Sequence, residues 1–163
     1  MQMLKPIDVV VLAKVLVLPY QQWNQPRLAR ELGIPQTNIH RTLKQLERSG
    51  LLFEKMPQRK AFFDLVTHGL RYVYPAELGA MSRGMPTAHL MTPELVGGPG
   101  YVWPDANGRA SGVVLEPLHP SVPDAALKDP QFYQLMSLID VFRTGRSREL
   151  TLATQQLQQL IRA

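Results

Sequence analysis

The stretch from Pro6 to Leu18, PIDVVVLAKVLVL, limits what the chain can fold into more than any other. Val9, Leu12, Val15 and Leu16 recur at helical spacing, and the other apolar residues among them cover more than one face. A helix of that kind has no solvent side, so it belongs at the centre of a core with other elements around it. Pro6 suits its first turn and Pro19 stops it. Asp8 and Lys14 interrupt the run, and no small-residue cleavage site follows it. It is also shorter than the roughly 20 apolar residues that span a bilayer. The expectation is a core helix in a soluble, unprocessed cytoplasmic protein.

Charge is distributed unevenly. Residues 1–75 hold eleven Lys/Arg against five Asp/Glu, and residues 76–163 hold seven against eight. The net charge of +5 therefore resides in the first half, which favours an acidic partner there. Cysteine is absent, which excludes disulfides, thiolate metal sites and Cys nucleophiles. At 163 residues and 45% hydrophobic content, the chain suits one compact domain or a small domain with an extension.

Asn24 is an N-cap for a second helix, Gln25 to Leu32, which Gly33 ends. A third helix runs from Gln36 to Ser49 and stops at Gly50. LLFEKMPQRKAFFDLV predicts a β-hairpin of Leu51 to Lys55 with Ala61 to Val66, and a short helix follows from Thr67 to Tyr74. From Pro75 to Gly112, frequent Pro and Gly predict irregular backbone over most of the length. Met81, Met85, Leu90, Met91, Leu95 and Val96 make this arm too apolar to float free, so it should lie against the protein or a partner. Near its end, YVWPDANGRASGVVLEPL predicts a second small hairpin around Asn107-Gly108. Asp129-Pro130 then opens a helix ending at Gly145, with Phe132, Leu135, Met136, Ile139 and Phe142 as its stripe. A final helix starts at Ser147 and carries Leu150, Ala153, Leu157 and Leu160 along one side. The fold class is mainly α with small β. Its parts are a head (1–74), an arm with a small hairpin (75–112) and a C-terminal helical pair (113–163) for dimerisation or partner binding.

The third helix carries the functional signal. With Ile39 at zero and about 100° per residue, Leu43 and Leu46 fall within about 40° of it and define a buried face. Thr37, Arg41, Lys44 and Arg48 fall on the far side, flanked by His40 and Gln45. Such a face suits nucleic acid. Arg41 can pair with guanine O6 and N7, and Asn38 or Gln36 with adenine N6 and N7. Thr37 and Lys44 can hold phosphates and fix register. Neutral His40 can hydrogen-bond a base or a phosphate.

QPRLARELGIPQTNIHRTLKQLERSGLL resembles the winged helix-turn-helix of bacterial transcription regulators, especially MarR-like ones. The likeness lies in the LARELGI helix and turn, the QTNIHRTLKQLERSGLL recognition helix and the hairpin after it. It covers residues 5 to 75, and Pro35 departs from it where such regulators often have a capping Ser or Thr. The resemblance implies a sequence-specific regulator of double-stranded DNA, most often a repressor. It places Arg59 and Lys60 on a wing that touches backbone or minor groove.

Enzyme chemistry finds no support. His40, His68, His89 and His119 fall at no metal-ligand spacing, and Gly97 to Gly100 lacks the Lys and helix of a phosphate loop. Ser121 has no nucleophile elbow around it. No catalytic residue, metal or cofactor is expected. A homodimer is expected, because two modules can read successive turns of the major groove. The alternative is an interaction protein, such as an antitoxin or defence-locus regulator, whose arm and C-terminal helices grip a neighbouring gene product.

Overall fold

The computed structural model describes residues 3–92 and 100–162. The fold is mainly helical with a small amount of sheet, as expected. The expectations for Pro93, Leu95, Val96, Gly97, Gly98 and Pro99 lie outside the described residues.

Helix α1 (Pro6–Val17) is the axis of the core. Every residue from Val9 to Leu16 is buried, and α2 (Gln25–Leu32), α3 (Gln36–Arg48) and α7 (Pro130–Thr144) all pack against it. Its two charged residues are buried as well, so each requires partners. Asp8 accepts the Lys5 backbone N–H at 2.7 Å and a hydrogen bond from Thr42 of α3. Burial still holds its carboxyl above the usual range, against those hydrogen bonds and the Lys5 charge. Lys14 contacts Asp129 at 2.7 Å and Glu31 at 3.1 Å, with the Phe132 ring 5.7 Å away.

Helices α2 (Gln25–Leu32) and α3 (Gln36–Arg48) follow, joined at Gly33, whose φ of 66° suits a residue without a Cβ. The next hairpin is far shorter than expected: β1 (Leu52–Phe53) pairs with β2 (Met56–Pro57), and the Gln58 N–H, donating to the Leu51 carbonyl at 2.9 Å, closes it before a helix begins. The segment expected as its second strand is helical instead. It runs through α4 (Arg59–Asp64), a π-helical turn (Leu65–Gly69) and α5 (Leu70–Val73). Phe62, Val66 and Leu70 are the buried residues here, and their spacing of four shares a face in a helix but not in a strand. The i,i+4 pair Lys60–Asp64 fits the same geometry.

The expectation of irregular backbone from 75 to 112 is also overturned. Residues Leu78–Thr87 form one long strand, β3, followed by a 3₁₀ turn, Ala88–Leu90. Strands β4 (Tyr101–Pro104) and β5 (Ala110–Leu115) both run antiparallel to β3, along its second and first halves respectively. They also pair with each other in parallel, so the three strands close on themselves and are not the hairpin expected around Asn107-Gly108. Closure depends on close backbone approach. A Cβ at Gly84 would lie 2.2 Å from the Trp103 carbonyl oxygen, and one at Gly108 would lie 2.3 Å from the Gly84 backbone. Gly84 lies within β3 and Gly108 in the loop between β4 and β5, and each leaves room for a close backbone approach.

Helices α6 (Val122–Lys128), α7 (Pro130–Thr144) and α8 (Ser147–Ile161) complete the chain. Asp129 caps α7 by accepting the Gln131 and Phe132 N–H groups at 3.1 and 3.2 Å. Phe132, Leu135, Met136, Ile139 and Phe142 are buried as expected, and so are Leu138 and Val141, because α7 is surrounded by α1, α5, α6, α8 and β3.

One buried carboxylate ties the closed strands to α7. Asp140 accepts Thr87 Oγ1 at 2.7 Å, Trp103 Nε1 at 2.8 Å and Arg143 Nη1 at 2.9 Å. Arg143 also donates to the carbonyls of Tyr74, Glu116 and Pro75. Burial pushes the Asp140 carboxyl upward, and the Arg143 charge and the three donors oppose it. Asp140→Ala would leave a buried guanidinium and an indole N–H without their acceptor. It should cost about 3–5 kcal/mol in urea unfolding.

His89 gives a pH prediction. Its ring is buried with neither nitrogen hydrogen-bonded, and Glu149 Oε1 lies 3.9 Å from Nε2. Burial lowers its pKa, and Glu149 only partly offsets this. The folded state therefore prefers neutral His89 while the unfolded chain still takes up a proton near the ordinary value, about 6.5. Stability is full above that pH and falls as pH drops through it toward the lower folded value. His89→Leu should reduce this slope in urea midpoints measured across the acid range. It should not abolish it, because burial lowers His119 in the same way.

Candidate nucleic-acid interface

Helix α3 is held at a fixed angle before any ligand arrives. Ile39, Thr42, Leu43 and Leu46 face the core and are all buried. Thr42 bonds Asp8 of α1, which adds a polar tie that the apolar pattern does not reveal. At the other edge, Asn24 Oδ1 accepts the Arg27 N–H at 2.8 Å and starts α2. Ile34, directly before α3, is 4% exposed and anchors the turn.

The outer face is open. Gln36, Thr37, His40, Arg41, Lys44 and Arg48 are exposed, and Asn38 and Gln45 are half-buried. Eight of the ten expected residues thus lie along one helix. No acidic residue occupies its first turn, so the positive end of the helix dipole is unopposed there. His40 Nδ1 lies 3.2 Å from Gln25 Nε2, which orients the ring toward the start of α2. Glu47 is the one acidic residue of the helix, and it lies in the groove on the hairpin side.

Arg59 and Lys60 sit elsewhere. Both belong to the first turn of α4, because the expected wing strand is helical. Arg59 Nη1 donates to the Ile161 carbonyl at 2.7 Å and closes the end of α8. Lys60 pairs with Asp64 at 2.5 Å and lies over the Phe63 ring. Their place on a wing is not retained.

Two cations missed in the sequence flank the α3 face. Lys5 shares a cleft with Asn38, Arg41 and Gln45, and Lys55 shares a groove with Gln36, His40 and Lys44. Lys5 was legible only as a residue before a helix. Lys55 occupies the two-residue hairpin turn, where Glu54 and Lys55 have φ of 47° and 65°. Both angles match the type I′ turn that such a loop requires. Among the described residues no cluster of three His, Asp or Glu side chains could hold a metal, and no helix is long and apolar enough to cross a membrane.

Arg59→Ala should cost stability, about 1–2 kcal/mol in denaturant unfolding, because a half-buried charged donor and the α8 carbonyl both lose a partner. No family model matches the chain, and no curated protein or solved structure matches it.

Proposed function

We propose that the chain binds double-stranded DNA with α3 in the major groove, as a winged helix-turn-helix transcription regulator with a very short wing. The observation that carries this reading is the continuous exposed row Gln36, Thr37, His40, Arg41, Lys44 and Arg48 on a helix whose opposite side is locked into the core. In this reading Arg41 pairs with guanine, and Gln36 or Asn38 with adenine. Thr37 and Lys44 hold phosphates, joined by Lys5 and Lys55 on the two flanks. A two-fold pair of chains reading half-sites one helical turn apart, about 34 Å, would supply the selectivity that one small module lacks.

A second reading, as a protein-binding module, is favoured by one observation. Tyr72, Val73, Leu78 and Met81, from α5 and the start of β3, are exposed by 78%, 52%, 55% and 68%.

In vitro selection of bound duplexes at stated salt tests the DNA reading and shows whether the preferred site has two-fold symmetry. Arg41→Ala should then cost about 1–3 kcal/mol and relax preference at one base pair. Lys44→Ala or Lys55→Ala should weaken all duplexes alike and flatten the salt slope by about one. Selection that enriches nothing would sink the proposal.

A further inference from the structure

The closed strands, α6 and α7 line an open pocket that the DNA reading does not use. Its walls are Met85, Pro86, Met91, Leu127 and Tyr133, and its volume is about 430 Å³. That lies inside the range of small-molecule sites, roughly 300–1,000 Å³, which are typically apolar with a few fixed polar groups. Tyr133 is immobilised on the inner side. Its hydroxyl donates to the Pro86 carbonyl at 2.6 Å, and its ring packs 5.6 Å from that of Trp103, centre to centre. The two methionines supply adaptable walls. Leu127 is 69% exposed, an apolar cost that an occupant would relieve.

The mouth is charged with both signs. Asp105 and Arg109 line the pocket from the loop between β4 and β5. They do not pair with each other, and the Arg109 side chain has no hydrogen bond or ion pair among the described residues. The loop that carries them is preformed. Asp105 Oδ1 accepts the Asn107 N–H at 2.9 Å, the Asp105 carbonyl accepts the Gly108 N–H at 2.9 Å, and Gly108 is pressed onto Gly84. An acid and a base carried by one preformed loop at an apolar mouth, without neutralising each other, match a ligand that carries both charges on a small apolar body.

We propose that this pocket binds a free α-amino acid with an apolar side chain. The side chain lies against Met85, Met91, Leu127 and Tyr133, the carboxylate pairs with Arg109, and the ammonium pairs with Asp105. Arg suits the carboxylate because its planar donors can engage both oxygens. The site shares no residue with the α3 face, so it stands or falls independently of DNA binding.

Isothermal titration of the full chain with L-phenylalanine tests this, with 3-phenylpropionate and phenethylamine as analogues that each lack one charge. The expected result is one site per chain for phenylalanine, with both analogues at least about tenfold weaker, a loss of about 1.4 kcal/mol each. Arg109→Gln and Asp105→Asn should each weaken phenylalanine by a similar factor. Asp105→Asn should leave 3-phenylpropionate unweakened, because asparagine keeps the acceptor for Asn107. Both residues are exposed, and unchanged melting of the variants verifies their fold. No heat with phenylalanine overturns the proposal. So does phenylalanine binding that ignores both substitutions, or 3-phenylpropionate binding as tightly as phenylalanine.

Discussion

An ammonium group in the middle of an apolar helix is the constraint around which the molecule is arranged. Lys14 lies on the buried axis of the core, and its charge cannot stay there unpaired. Its two acidic partners come from different parts of the chain, Glu31 from the last turn of α2 and Asp129 from the start of α7. Burial works against the Glu31 charge, but hydrogen bonds from Arg27 and Lys14 hold its carboxyl below the usual range. The angle of α2 to α1 is set there, and α3 inherits it across the tight turn at Gly33. The direction in which Arg41 and Lys44 face therefore rests on this contact together with the direct packing of α3 on α1. Apolar packing alone could hold these helices together but would tolerate sliding.

A second polar centre does the same for the sheet. Three strands make a weak unit by themselves. Asp140 gathers one donor from β3, one from β4 and one from its own helix, while Arg143 collects carbonyls from the chain on both sides of the sheet. Every polar atom of this cluster must find its partner in one arrangement only, so the closed strands have one seat on α7.

How much of this was legible in the sequence depends on whether the signal was local. The first three helices were readable because their caps and stops are local: Pro6, Asn24 with Arg27, Gly33, and Asp129-Pro130 for α7. The exposed row on α3 was readable because helical spacing separates Ile39, Leu43 and Leu46 from Arg41, Lys44 and Arg48. The second wing strand was not legible because the deciding spacing of four, Phe62, Val66 and Leu70, extends past AFFDLV into the following segment. With it went the placement of Arg59 and Lys60. The arm failed for a different reason. Gly84 looks like a loop residue in a single sequence but lies within β3, and its role and that of Gly108 is to let backbone segments far apart in the chain touch. The polar ties of Lys14, Thr42 and Asp140 were hidden likewise, since a buried charge and a surface charge are the same letter.

The Lys14 centre also reaches the junction between α6 and α7. Asp129 closes α6 and opens α7, with no linker between the two helices, and it also carries the Lys14 ammonium. Leu127, on the last turn of α6, and Tyr133, on the first turn of α7, are walls of the apolar pocket on either side of that residue. A change in the angle between α6 and α7 must therefore be taken up at Asp129. The Lys14 charge cannot be abandoned in the core, so Glu31 and α2 must follow any such movement or resist it.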